Sequence, residues 1–359
     1  MGRGKKRSPQ ERYKRYSEWI SSDDKKEELK KWLEKAGIPL ELRTIKFLEE
    51  QGYRCSTYHC QDPDTGKYRE LDIHASKTNI RSFKVGKCEI VFNVLILAEC
   101  KYSHNLDLLA FESMDGYFPA FPVIFPRERI LGAFYHNFEF PVIIRKIAET
   151  DVYNLASREN FQDKKTHEAC EKLTFCFSCM YERIRKRFGV FFDKYRFSFE
   201  KPWLNYMSKG HPVRDKRALQ RKIREFLKEN FKAEELLTLI RYFPIQIGFP
   251  LMIISKDRGL IRIKCDMTTG QITDFEDIGY GIHPYVSENA DKYDNILHGF
   301  FAFPIIICNL AYLDDCLGTL NKGIEKIASY VETLLHNDPY AIAEQVLEEI
   351  YTEHLYLRT

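Results

Sequence analysis

Residues 88–103, CEIVFNVLILAECKYS, restrict the fold more than any other stretch of the chain. A strand alternates its side chains between two faces. Val91, Leu95, Leu97, Glu99 and Lys101 therefore share one face, and Phe92, Val94, Ile96 and Ala98 line the other. A strand that is apolar on both faces is expected in the middle of a sheet covered by helices. This one ends in a carboxylate and an ammonium two residues apart, and chemistry is expected there. The plainer alternative is a salt-bridged pair closing the strand.

The flanking sequence reads as α/β. A helix is signalled from Asp24 to Ala36, with Leu29, Trp32 and Leu33 as its apolar stripe and Gly37 at its end. Pro39 opens a second helix to Gln51, in which Leu40, Thr44, Phe47 and Leu48 have core spacing and Glu41 flanks them. Strands follow at Tyr53–Cys60 and Tyr68–Ala75, separated by the turn-forming QDPDTGK. In the second, Leu71, Ile73 and Ala75 form one face; Tyr68, Glu70, Asp72 and His74 form the other. Short strands are expected at Phe121–Phe125 and Phe140–Ile144. A long helix spans 165–187 and a strongly basic one spans Arg214–Asn230. A hairpin is expected from Phe249–Ser255 and Leu260–Cys265, another buried strand at Phe303–Asn309, and two final helices from Thr319 and Pro339.

Composition narrows the class. Of 359 residues 44% are hydrophobic and 30% charged, a globular rather than disordered balance. The net charge of +3 identifies no partner. Residues 1–16, however, carry seven Lys/Arg against Glu11 alone, which suits either a solvated tail or a loose hold on an anionic polymer. Ten cysteines in irregular, mostly apolar positions, without an apolar leader, point to a reducing cytoplasm. The apolar run Gly299–Leu313 is too short to cross a bilayer and contains Pro304 and Asn309, so no membrane segment is expected. The pair Cys176 and Cys179 has no second pair at zinc-binding spacing, and core packing is the favoured role.

Glu41, Asp72, Glu99 and Lys101 can converge if the strands bearing Asp72 and Glu99 are neighbours. Hard carboxylate oxygens suit Mg²⁺, with the Cys100 carbonyl able to complete a shell and Lys101 able to stabilise developing negative charge. Glu70 and His74 are the rival ligands on the Asp72 face.

In this order, helix-borne Glu41, then Glu70-Leu71-Asp72, then Glu99-Cys100-Lys101 resemble the PD-(D/E)xK superfamily of restriction-endonuclease-like nucleases. The chain is most similar to members with an acid in the first helix, as in archaeal Holliday-junction resolvases and Mrr-type restriction enzymes. The resemblance covers residues 38–103. It implies a mixed sheet flanked by helices and Mg²⁺-dependent (or Mn²⁺-dependent) endonuclease cleavage of DNA, in repair or foreign-DNA defence. Asp72, Glu99 and the Cys100 carbonyl would hold the metal, Glu41 would support it or its water shell, and Lys101 would assist the water. A homodimer is a further implication, since many nucleases of this fold cut two strands as dimers. The implied organisation is a basic arm at 1–22, a nuclease domain at 23–318 with insertions near 104–164 and 190–245, and C-terminal helices at 319–359. Three departures stand out: Asp72 lacks a preceding Pro, 27 residues separate it from Glu99, and about sixty follow Lys101 before the long helix. The alternative function is a nucleic-acid-binding protein that keeps the fold without catalysis. The basic Arg214–Arg224 stripe is the candidate for phosphate contacts.

Overall fold

In the computed structural model of the chain, residues 88–101 occupy the interior of a mixed sheet. The structure describes residues 23–35, 38–61, 66, 68–86, 88–101, 108–112, 123–125, 153–157, 164–208, 213, 215–233, 235–236, 245–255, 259–265, 269, 271–285 and 303–356. The basic arm and the Phe140–Ile144 strand lie outside these residues.

Two helices, α1 (Asp23–Lys35) and α2 (Ile38–Glu50), lead into the antiparallel strands β1 (Arg54–Gln61), β2 (Tyr68–Val85) and β3 (Cys88–Lys101). Short strands β4 (Leu108–Glu112), β5 (Val123–Phe125) and β6 (Tyr153–Ser157) precede the long helix α3 (Lys164–Ser208). After α4 (Lys216–Asn230) come β7 (Ile245–Ile254), β8 (Leu260–Cys265), β9 (Ile272–Asp277), β10 (Tyr280–Tyr285) and β11 (Phe303–Asn309). A 3₁₀ turn then leads to α5 (Leu313–Asn337) and α6 (Ala341–Tyr356).

The main sheet runs β1-β2-β3-β7-β11-β10, with β3, β7 and β11 parallel and the outer strands antiparallel. The short β5 also pairs antiparallel with β7. A second sheet has the order β6-β4-β8-β9. This overturns the expected Phe249–Cys265 hairpin: β7 joins the main sheet and β8 the other, because the apolar β7 is needed between β3 and β11. The 76–88 connector forms the upper half of a long hairpin, with β2 continuing to Val85 and Gly86 turning at φ 60°. Gly52 at φ 83° ends the chain's exit from α2, a conformation glycine reaches without a Cβ clash.

Each sheet face carries its own core, as a strand apolar on both sides requires. One face packs Ile73, Ala75, Phe92, Ile96 and Ala98 against α2, α4, α5, α6 and the last turns of α3. The other packs Leu71, Leu97, Met252 and Ile305 against the first turns of α3 through Leu173, Cys176, Phe177 and Met180. Thus α3 crosses the Glu99 face near its start and reaches the opposite core at Phe199, Trp203 and Met207. Among the described residues no helix is long and apolar enough to cross a membrane.

Candidate active site

The site forms where β2 parts from β3. Ser56 pairs with His74 and Tyr58 with Leu71, so two β2 residues, Asp72 and Ile73, face one position on β1. This β-bulge shifts the alternation. Leu71 enters the α3-side core, while Ile73 and Ala75 remain in the other, correcting the expectation that all three share a face. The β2–β3 ladder begins only at Ile73 opposite Ala98. Beyond it the Cys100 N–H donates to Asp72 Oδ2 at 2.7 Å, so a side chain replaces a ladder bond and brings the carboxylate to the end of β3.

Glu99 points towards α3 and is 1% exposed. Burying a carboxylate costs several kcal/mol unless charge and hydrogen bonds compensate it. Two ammonium groups do so here. Lys101 Nζ donates to Glu99 Oε1 at 2.7 Å, and Lys172 Nζ, from the third turn of α3, lies 2.8 Å from both oxygens. The salt bridge of the plainer alternative therefore exists, but with a second cation. Both Glu99 oxygens therefore lie against an ammonium, Oε1 against two and Oε2 against that of Lys172.

The charges around Glu99 are mutually perturbing. Burial first, then the charge of Glu99, raises the Asp72 pKa, against the Cys100 N–H, Lys172 and Lys101. Glu41, on the first turn of α2, is raised by burial and then by Asp72 and Glu99, with Lys172 opposing and Glu70 adding to the rise. Burial pulls the Lys101 pKa down, yet the charge and hydrogen bond of Glu99 outweigh it and leave it raised. Lys101 is thus a permanent cation near neutrality: it can donate and stabilise charge, not accept a proton.

The predicted residues are placed as follows. Glu41, Asp72, Glu99 and Lys101 share one electrostatic neighbourhood at the end of β3. Cys100 stays in the ladder opposite Ile253, with its thiol turned to Thr44 on the other face. Of the rivals, Glu70 is exposed at the margin, and His74 is drawn away to Ser56 Oγ at 3.3 Å and the Tyr58 ring. Its pKa is lowered by burial and Arg183. Lys172 was missed by the sequence reading, although a signal existed: it stands three residues after Ala169 and four before Cys176, both inward-facing, and so borders the buried stripe. At the preceding residue, the Tyr285 hydroxyl donates to Glu171 Oε2 at 2.9 Å and pins the start of α3 to β10.

Two members of the basic stripe of α4 make ion pairs within the chain. Arg224 binds Glu344 and Asp338, and Lys216 binds Glu348, so this face of α4 holds α6.

Among the described residues no group of three or more His, Cys, Asp and Glu gathers into a metal cage. Mg²⁺ needs no such cage; one or two carboxylates with waters and substrate oxygens suffice. Asp72 and Glu99 fit that requirement in kind: both offer hard oxygens, and the charge of Glu99 raises the Asp72 pKa. Fold and site together define an α/β protein with a mixed sheet flanked by helices and an acid–lysine centre at one strand end. No family model, curated protein or solved structure matches the chain.

Proposed function

We propose that the chain is a Mg²⁺-dependent nuclease that hydrolyses phosphodiester bonds in DNA, built on a restriction-endonuclease-like core of the PD-(D/E)xK type. The observation that carries this is the buried Glu99 between Lys101 and Lys172, with Asp72 anchored to the adjoining Cys100 N–H. Asp72 and Glu99 would hold the ion, with Glu41 supporting it and the Cys100 carbonyl as a further oxygen. When bound, Mg²⁺ supplies charge to the phosphate and a lowered pKa to water. The chain's own part is electrostatic: Lys101 and Lys172 place fixed positive charge beside the position where a pentavalent phosphate gathers negative charge. Asp72 is held in place by the backbone, so little reorganisation is needed when an ion arrives.

The test is incubation of plasmid, linear, branched and single-stranded DNA, and of RNA, with and without Mg²⁺ or Mn²⁺. Cleavage of DNA that needs the metal and falls at least about a hundredfold in Asp72→Asn and Lys101→Ala supports the proposal. Cleavage unchanged in both variants sinks it. The second reading, a nucleic-acid-binding protein without catalysis, draws on the finding that two lysines already neutralise Glu99. It requires DNA binding indifferent to Mg²⁺ and to Lys101→Ala.

A further inference from the structure

On the other side of Lys172 from Tyr285, α3 meets β1 through sulfur. Cys60 Sγ on β1 and Cys176 Sγ on α3 lie 2.8 Å apart, and Cys179, one turn further on, also hydrogen-bonds Cys60. Residues three apart on a helix share a side, so both helical thiols address the same β1 residue. Cys60 and Cys176 are buried at 4% and 0% exposure, whereas Cys179 is half-buried and gives a route from solvent. Beside them the Tyr58 hydroxyl is buried with no hydrogen-bond partner among the described residues. All eight cysteines whose side chains are described are free, and a second thiol pair, Cys308 with Cys316, is fully buried on both sides.

We propose that Cys60, Cys176 and Cys179 form a redox-modification site at which hydrogen peroxide closes a disulfide between β1 and α3. This goes beyond the nuclease proposal and does not rest on it. The Cys179 sulfur attacks a peroxide oxygen: an S–O bond forms, the O–O bond breaks, and water leaves. The Cys60 sulfur then attacks the sulfenic sulfur, forming S–S and releasing the hydroxyl with the thiol proton as a second water. The adjacent Cys176 can take over the bond by exchange, returning Cys179 to the thiol. Two thiols thereby lose two electrons and two protons to one peroxide. The hydrogen bond from Cys176, with burial, pushes the Cys60 thiol up to about 12, so Cys60 serves as the resolving partner and the reaction quickens with rising pH.

The experiment treats the full chain with hydrogen peroxide, blocks remaining thiols with iodoacetamide during unfolding, and maps a non-reduced tryptic digest by mass spectrometry. The expected product joins peptides 55–67 and 173–183, two hydrogens lighter than their sum. It should survive Cys55→Ser, vanish in Cys60→Ser, and leave Cys308 and Cys316 alkylated. An upward Tm shift of several degrees, reversed by dithiothreitol, should accompany it. If Cys60→Ser does not fold, Cys179→Ser should slow the cross-link at least about tenfold. Full alkylation of all three thiols after peroxide, a cross-link that persists in Cys60→Ser, or over-oxidation of Cys179 without a cross-link would each overturn the proposal.

Discussion

Glu99 is the residue whose surroundings decide most. Its two cations are about equally accessible but differ in origin, since Lys101 comes from its own strand and Lys172 from a helix 71 residues further along. Removing Lys172 leaves a buried carboxylate with half its compensation. Lys172→Ala is expected to cost about 1–3 kcal/mol, most of it recovered in the Glu99→Gln background, as denaturant melts of the double-mutant cycle would show. Asp72→Asn has the opposite sign. The amide keeps an acceptor for the Cys100 N–H while ending the repulsion from Glu99, so stability should rise by about 0.5–2 kcal/mol while the proposed cleavage is lost. A fall in stability would show that the Asp72 charge is compensated in the folded protein.

Elements were legible where one periodicity ruled. The core stripes of α2 and the two-faced β3 could be read directly, and both chain ends of α2 are marked by Pro39 and Gly52. Gly52→Ala forces a side chain into φ 83° and should cost about 1 kcal/mol, a Tm loss of a few degrees, with cleavage untouched. The bulge at Asp72–Ile73 was not legible, because nothing in YRELDIHA marks which residue leaves the alternation; that is settled by pairing with β1. For the same reason Glu70, Asp72 and His74 could not be ranked by pattern alone. The second sheet was missed for a different cause. Its β9 is exposed along its whole length and carries ITDFED, a sequence with no buried face to advertise.

At the scale of the molecule the acids set a pH dependence. Glu41 and Asp72 have raised pKa values in the folded chain, caused by burial first and then by neighbouring acids. Such groups hold more protons folded than unfolded. Their stabilising contribution is full below the unfolded carboxylate range and is lost as pH climbs through the folded values. The Tm advantage of Asp72→Asn over wild type should therefore be larger at about pH 8 than at about pH 5, as thermal melts would show. Mg²⁺ bound as proposed would compete with those protons, so its stabilisation, about 1.4 kcal/mol at ten times Kd, should likewise shrink on acidification. A Tm indifferent to Mg²⁺ at both pH values would remove Asp72 and Glu99 as its ligands.

The 45 residues of α3 span about 67 Å at 1.5 Å per residue, and one end is buried on each side of the same sheet. A rod shared in this way denies the two cores separate melting: neither can open without stripping partners from the other. Native-state hydrogen exchange should accordingly find the amides of Leu173–Phe177 and Trp203–Met207 released together, at the free energy of global unfolding.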